Sequence, residues 1–465
     1  MIIHITIYYS CQLCRSIENY IIYNNFFKVK EKMELAELKR RRKSLVNKMA
    51  NNSIAILSSA NRNFRTRDVE NPFRQESDFL YLTGISEPNL LFVIFEKDNN
   101  LHSILFRDNT SEKEKIWDGE RLDNSEILES FGFTEVFNYE NYIEKLVDLI
   151  SKKETLYIES GINEDLDNFI SNNIASSSMN NRGGASFPKK IIALHSITQK
   201  LRLVKSQYEI DLVRKAAEVS VQGHIAAMKK AKPGIYEYEL DAEIKYIFNK
   251  NNMPFAYMSI VGGGNNACIL HYIKNNSILN DNELVLIDAA AECNGYASDI
   301  TRTFPVNGKF SEEQALIYDL VLESQEKAIN FIKPGITWDE LHNITVQTIS
   351  EGLIELKILK ESLEEVINKE LYKDFYMHKT GHWLGLDVHD VGEYENILFE
   401  PGMIITVEPG VYINQSNKNV ERKWRGIGVR IEDDILITDN GNEVLTNKLP
   451  KKRNHVEEIC NKNEE

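Results

Sequence analysis

The stretch Leu284–Pro305, LVLIDAAAECNGYASDITRTFP, constrains this chain more than any other. An apolar run ends at Asp288, Asn294-Gly295 follows, and a second run carries Asp299, Thr301 and Arg302. Asn-Gly between two strand-like runs is the strongest short-range hairpin signal, because a type I′ turn needs positive φ at both central residues. A hairpin closed on that turn without a bulge sets Asp288 opposite Thr301 and Asp299 opposite Ala290. Side chains two apart share a face, so Asp299 and Thr301 point the same way as Asp288. The two carboxylates become diagonal neighbours with Cβ atoms roughly 7–8 Å apart or somewhat less. That separation suits two metal ions about 3.5–4 Å apart. An exposed hairpin with two solvated aspartates satisfies the same pattern, but two like charges on a covered sheet face need a positive partner.

At 465 residues the chain is long enough for two domains, and 42% hydrophobic residues can build a sizeable core in each. A net charge of −15 argues against a nucleic-acid or anionic-membrane binder. Cysteines at 11, 14, 268, 293 and 460 form no disulfide framework, which points to a reducing compartment, the cytoplasm. No run approaches the roughly 18 apolar residues of a membrane span. The first ten residues are apolar but lack a basic flank and a small-residue cleavage site, so they are not read as a secretory signal.

Residues 1–32 have no clear period and are read as a non-native extension, with the working chain starting at Met33. Cys11 and Cys14 form a CxxC without the second pair a zinc site requires. Residues 39–43 are all Lys or Arg; Leu35, Leu38, Leu45 and Val46 mark the apolar stripe of a helix there, which assigns the basic run to its wet face. From 53 to 170, strand-like runs (53–59, 89–96, 102–108, 154–160) alternate with helical ones (125–131, 140–151), as in an α/β domain spanning 33–170. Residues 71–88 read as an aromatic loop. A Ser/Asn/Gly-rich stretch places a linker at 171–190. The second domain then runs from 191 to 450, before a polar tail at 451–465. Its helical segments fall at 206–232, 238–251 and 311–333. Lys232-Pro233-Gly234 recurs as Lys333-Pro334-Gly335, a hint of two similar halves. Gly262–Gly264 lacks the context of a phosphate loop and is read as a turn into a strand over 268–272 that carries His271.

Three further stretches concentrate metal-friendly side chains. HKTGHWLGLDVH (378–389) holds three of the ten histidines, MIITVEPGVY (403–412) is a strand ending at Glu408, and GIGVRIEDDILIT (426–438) alternates, with Arg430 and Glu432 on one face. Taken singly, each has an ordinary structural explanation; polar groups on one face of an otherwise apolar strand nevertheless need a buried partner or a site. Together with LRLVKSQYEI (201–210) and CILHY (268–272), these pieces resemble the metallopeptidase family that holds aminopeptidase P, prolidase and methionine aminopeptidase. Residues 71–88 and Ile116–Gly119 resemble the N-terminal domain of aminopeptidase P. The resemblance covers most of the chain from Met33 onward.

The resemblance implies an α+β protein: an α/β N-terminal domain followed by a pita-bread catalytic domain. It implies that Asp288 binds one metal, that Asp299 and Glu432 bridge both, and that His382 and Glu408 complete the other metal's shell. Four carboxylates and one imidazole favour Mn2+, with Co2+ or Zn2+ as substitutes. Glu408 would shuttle a proton, His271, His378 and His389 would surround the substrate, and Arg430 would orient Glu432 or substrate. The implied activity is release of an N-terminal residue ahead of proline, by a homodimer or homotetramer acting on peptides. Prolidase, which cleaves Xaa-Pro dipeptides, is the alternative. Methionine aminopeptidase needs no N-terminal domain of this size, and relatives that lost the metals or hydrolyse creatine lack the five ligands found here. Lys379-Thr380 departs from the smaller residues common in the family.

Overall fold

The computed structural model describes residues 34–179 and 187–462, in two compact units that meet along the chain between Leu201 and Arg202. The extension 1–32 lies outside the described residues. The unit boundary falls beyond the stretch read as a linker, because helix Glu164–Met179 occupies its start and strand Lys190–Ala193 joins the first unit's sheet.

That sheet has six strands in the order Glu135–Asn138, Asn100–Arg107, Leu90–Lys97, Ser53–Ser58, Thr155–Ile158, Lys190–Ala193. Its centre is the antiparallel run 100–107, 90–97 and 53–58, and parallel strands flank it on both sides. The segment read as an aromatic loop contains helix Ser77–Thr83, capped by the Glu76 carboxylate. The helix at 34–48 corrects the reading of its basic run. Lys39, Arg40 and Lys43 are exposed, but Arg41 and Arg42 are buried. Arg42 lies over the Phe133 ring at 4.2 Å and donates to the carbonyls of Leu82, Phe131 and Gly132. A guanidinium is planar and weakly hydrated, so carbonyls and a ring face can take it from water; periodicity alone cannot reveal that.

The second unit is built twice. Helices Gln207–Lys230 and Glu237–Lys250 pack together and precede strands 260–263, 284–288 and 301–305. Helices Glu312–Phe331 and Trp338–Glu355 pack together and precede strands 404–407, 433–438 and 441–444. The two Lys-Pro-Gly turns are equivalent down to their hydrogen bonds. Gly234 (φ 93°) donates to Leu279 O and Ile235 O accepts from Leu279; Gly335 (φ 87°) donates to Phe399 O and Ile336 O accepts from Phe399. Helix C-termini reached through such a turn favour glycine, which carries no Cβ penalty at positive φ. The segment read as a polar tail is also part of this unit: helix Arg453–Cys460 buries Val456 and Cys460 in the core.

Each half contains a β-ladder that breaks and then resumes in the same register. In the first, Leu284–Asp288 pairs with Thr301–Pro305, and pairing resumes at Glu292–Cys293 with Tyr296–Ala297 around the Asn294-Gly295 turn, both residues at positive φ. Thr301 faces Asp288, and Ala289 N donates to Ile300 O within the break. In the second, Ile404–Val407 pairs with Asp433–Leu436 and Gly410–Ile413 with Ile427–Arg430, which leaves Glu408 opposite Glu432 at the break. The run 426–438, expected as one strand, is therefore two strands in two sheets.

Arg302, fully buried, ties these ladders together. It donates to Thr301 O, Glu432 O, Leu449 O and Pro450 O and pairs with Asp433 at 2.7 Å. Asp433 is burdened by desolvation, yet Arg302 and Lys451 hold its carboxyl down to about 2. A pKa lowered in the fold contributes stability above the unfolded value that is lost as pH falls toward about 2. Replacing Arg302 by Met leaves Asp433 half-compensated and four carbonyls short of a donor. It is expected to cost about 3–5 kcal/mol, readable as a drop in urea midpoint.

Candidate metal centre

The broken ladders place five metal-friendly side chains on one another. Asp299, His382 and Glu432 each offer a ligand atom within 4.8 Å of the other two. His382 Nε2 lies 3.3 Å from Asp299 Oδ2 and 3.5 Å from Glu408 Oε1. Asp288 joins through a residue not singled out from the sequence: the Tyr257 hydroxyl sits 2.6 Å from Asp288 Oδ1 and 2.5 Å from Asp299 Oδ1. A phenol has one proton to give, so the second contact draws a proton on one of the two carboxyls. The five residues expected as metal ligands are thus gathered, with Asp288 and Asp299 on one face.

Orientation comes from neighbouring backbone and hydroxyls. His382 Nδ1 faces Trp383 O at 3.0 Å; a carbonyl only accepts, so Nδ1 carries a proton and Nε2 points at the carboxylates. Gly381, just before it, has no room for a Cβ, which would stand 1.9 Å from Thr406 O. That close approach lets Thr406 N donate to His382 O. Thr301 Oγ1 donates to Glu432 Oε2 at 2.7 Å and accepts from Arg430 Nε at 3.0 Å. The Asp299 amide and the Ser298 hydroxyl both donate to buried Asp434.

Arg430 is expected from the sequence to orient Glu432 or substrate. Its guanidinium pairs directly with Asp288 and donates to the Tyr412 hydroxyl at 3.1 Å. Arg430 Nε reaches Glu432 only through Thr301, because the strand break turns residues 431–432 away from the 427–430 ladder. Tyr412, within the TVEPGVY stretch, received no role from the sequence. It donates to His378 Nε2 at 2.8 Å, while His378 Nδ1 donates to Lys379 O. Both His378 nitrogens are therefore engaged by the protein. His389 stacks edge-on against His382, with ring centres 4.4 Å apart. His271 lies on an exposed turn after the 3-10 helix Gly264–Cys268, not on the strand expected there. That helix is held where the Glu237 carboxylate accepts from the Gly263 amide, the Asn266 side-chain amide and the Tyr272 hydroxyl, a partner too distant in the chain to be read from 262–272. Neither His389 nor His271 makes a protein hydrogen bond among the described residues, so both are free to meet a ligand. Thr380 is buried, with its hydroxyl among His342, Thr345 and Tyr376, whereas Lys379 is exposed.

Electrostatically the cluster is overloaded with negative charge. Burial, with its acidic neighbours, pushes the Glu432 carboxyl well above the carboxylate range and raises that of Asp288 despite Arg430. Burial pushes Glu408 up to about 7. Burial disfavours charge on His382 too, but Asp299 and Glu408 outweigh it and raise the imidazole to about 9. His378 is driven down to about 3 by burial and by Arg430.

Residues 211–439 match the model of metallopeptidase family M24, and residues 38–157 match the aminopeptidase P N-terminal domain. The chain belongs to the M24 metallopeptidases and carries the aminopeptidase P type of N-terminal domain. It is 40% identical to the Xaa-Pro aminopeptidase of Escherichia coli over 91% of this chain and 97% of that one. Among solved structures it is similar to the Pseudomonas aeruginosa aminopeptidase PepP, with a TM-score of 0.88 and 45% identity over 91% of this chain and 97% of that one. It is likewise similar to zinc-substituted E. coli aminopeptidase P in complex with product, with a TM-score of 0.88 and 40% identity over 91% and 98%. The fold is the α/β domain plus pita-bread domain that the sequence motifs imply, and a metallopeptidase of this family uses divalent metal ions.

Glu408 and His382 both take up protons more readily in the fold than when unfolded. Their contribution to metal-free stability is therefore present at low pH and lost as pH rises through about 7 and then about 9. Metal ions compete with those same protons. The rise in melting temperature on adding Mn2+ is expected to be larger at about pH 8 than at about pH 6, and a flat or inverted trend in thermal melts would count against protonated ligands.

Proposed function

We propose that this Xaa-Pro aminopeptidase works with two divalent ions, manganese in the cell, held by Asp288, Asp299, His382, Glu408 and Glu432. One observation carries the proposal: the buried carboxyls of Asp288, Asp299 and Glu432 and the half-buried one of Glu408 converge where, among the described residues, only Arg430 and His382 bring positive charge into contact. Two dications would cancel four carboxylates. An oxygen-rich set with one imidazole suits manganese, and the zinc-substituted relative supports replacement by another divalent ion. On this reading Asp299 and Glu432 bridge, Asp288 serves one ion and His382 with Glu408 the other.

When bound, such ions activate water and polarise the scissile carbonyl. The protein's own groups do the rest. The proline nitrogen leaves as a secondary amine, so it must gain a proton as its bond to the carbonyl carbon breaks. Glu408, at the strand break beside His382, would take a proton from the attacking water and hand it to that nitrogen. His389 and His271, unengaged by the protein, donate to the substrate carbonyl or its neighbours. His378 can join them only by releasing Tyr412. Arg430, Thr301 and Tyr412 hold Asp288 and Glu432 in place.

Prolidase is not favoured: the relatives are Xaa-Pro aminopeptidases, and Arg430, the cation nearest to hand for a proline carboxylate, is committed to Asp288 and Tyr412. The free thiols of Cys268 and Cys460 support a reducing cytoplasmic setting. No helix among the described residues is long and apolar enough to cross a membrane, and the net charge of −15 supports peptide rather than nucleic-acid partners. Ile116 and Trp117, 82% and 78% exposed, support assembly into a dimer or tetramer.

Metal-stripped protein restored with Mn2+ is expected to turn over Xaa-Pro-Yaa peptides with a higher kcat/KM than Xaa-Pro dipeptides. Asp299→Asn should lose both ions and at least about a hundredfold in activity, the upper end of what even outer-sphere partners cost. Asp288→Asn should loosen mainly one ion. Two retained ions in Asp299→Asn, by metal analysis, would refute its bridging role.

A further inference from the structure

His224 lies in the interior of helix Gln207–Lys230 and is fully buried. The chemistry above makes no use of it. Its Nε2 sits 2.9 Å from Ala289 O, and the Ile300 carbonyl also bears on the ring. Ala289 and Ile300 are the residues that immediately follow Asp288 and Asp299. One turn earlier on the same helix face, Ser220 is also fully buried, and its hydroxyl accepts the Ala291 amide at 2.9 Å. Side chains four apart on a helix stand one above the other, so His224 and Ser220 together grip the strand break at two points two residues apart.

What they grip is the segment where the first ladder lets go. In an unbroken antiparallel pair, Ala289 O would take the Ile300 amide in exchange for the bond from Ala289 N. Here His224 supplies a donor to that carbonyl. A carbonyl only accepts, so Nε2 carries the proton; burial keeps the ring neutral, pushing its pKa down to about 4. Nδ1 is buried without a hydrogen-bond partner among the described residues. An apolar side chain would fill this site without leaving a nitrogen unpaired, so the imidazole is retained for the bond it makes on its other side. On the opposite strand, Asp434 grips Ser298 and the Asp299 amide. The break is thus held from both edges, and the spacing of the Asp288 and Asp299 carboxylates depends on those grips.

We propose that His224, with Ser220 beneath it, is a positioning residue for the metal centre: it sets the backbone between Asp288 and Asp299 so that both carboxylates meet the ions. The inference rests on the dinuclear reading above and adds to it a buried support that touches neither substrate nor metal. Partners of this outer kind govern metal affinity by about 10–100-fold, through geometry rather than charge.

The test is calorimetric titration of Mn2+ into the metal-stripped full-length chain, with circular dichroism and a thermal melt to confirm folding. His224→Leu removes the donor at similar volume and is expected to weaken Mn2+ binding by about tenfold or more. His224→Gln keeps an N–H donor at the reach of Nε2 and is expected to stay within about threefold of wild type, even where both variants lower the melting temperature equally; a merely structural role would move that temperature and leave the affinities alike. A folded Leu variant that binds as tightly as wild type, or a Gln variant weakened as much as Leu, overturns the proposal. Should the Leu variant not fold, Ser220→Ala decides: weaker Mn2+ binding supports the grip and unchanged binding overturns it. Wild-type protein that fails to bind two ions would sink the dinuclear reading instead, so the two failures are distinguishable.

Discussion

Four carboxyl groups drawn to one place, three of them buried and that of Glu408 half-buried, are the constraint on which the second unit is built. Isolated, each would cost several kcal/mol to bury, and together they repel. The structure offsets this with one guanidinium on Asp288, an imidazole between Asp299 and Glu408, and hydroxyls from Tyr257 and Thr301. Burial and their mutual repulsion raise the carboxyls of Asp288, Glu408 and Glu432 together. A site in that condition is primed to exchange protons for cations.

Strand breaks make this crowding sterically feasible. An unbroken strand sends alternate side chains to opposite faces and spends every amide on its neighbour. At 289–291 and 298–300 in one half, and at Glu408-Pro409 against Ile431-Glu432 in the other, the ladders stop and then resume in register. The freed backbone groups find other partners: Asp434 and Thr301 O on one side, His224 and Ser220 on the other. The flanking ladders stay rigid, so a carboxylate at a break is held with the precision of a strand. The duplicated helix-pair-and-ladder design brings the two breaks face to face, with Arg302 as the buried bolt between them.

Reliance on buried charge runs through both units. Arg42 in the first donates to three carbonyls through two of its nitrogens and lies over an aromatic face; Arg202 and Lys205 in the second share Asp390, next to His389. In each case the basic group fixes a loop that carries little regular structure of its own. These groups read as solvent-facing in a linear sequence, because their partners lie far away along the chain and are mostly backbone atoms.

The sequence by itself determined the first hairpin and its register, since Asn294-Gly295 and the flanking apolar runs are local signals and a type I′ turn fixes the pairing. Through their periods it located the strands at 53–58, 90–97, 100–107 and 155–158 and the helices at 207–230, 237–250 and 312–331, and it singled out five side chains, Asp288, Asp299, His382, Glu408 and Glu432, that the fold brings together. Only the tertiary structure decided how they are held. Tyr257 between the two aspartates, Arg430 on Asp288 rather than Glu432, His378 turned onto Tyr412, and His271 on a turn all depend on contacts between segments tens to hundreds of residues apart. Periodicity reports which face of an element is apolar; it carries no information about which distant donor reaches a given carboxylate, because that choice is made by packing once the elements have formed.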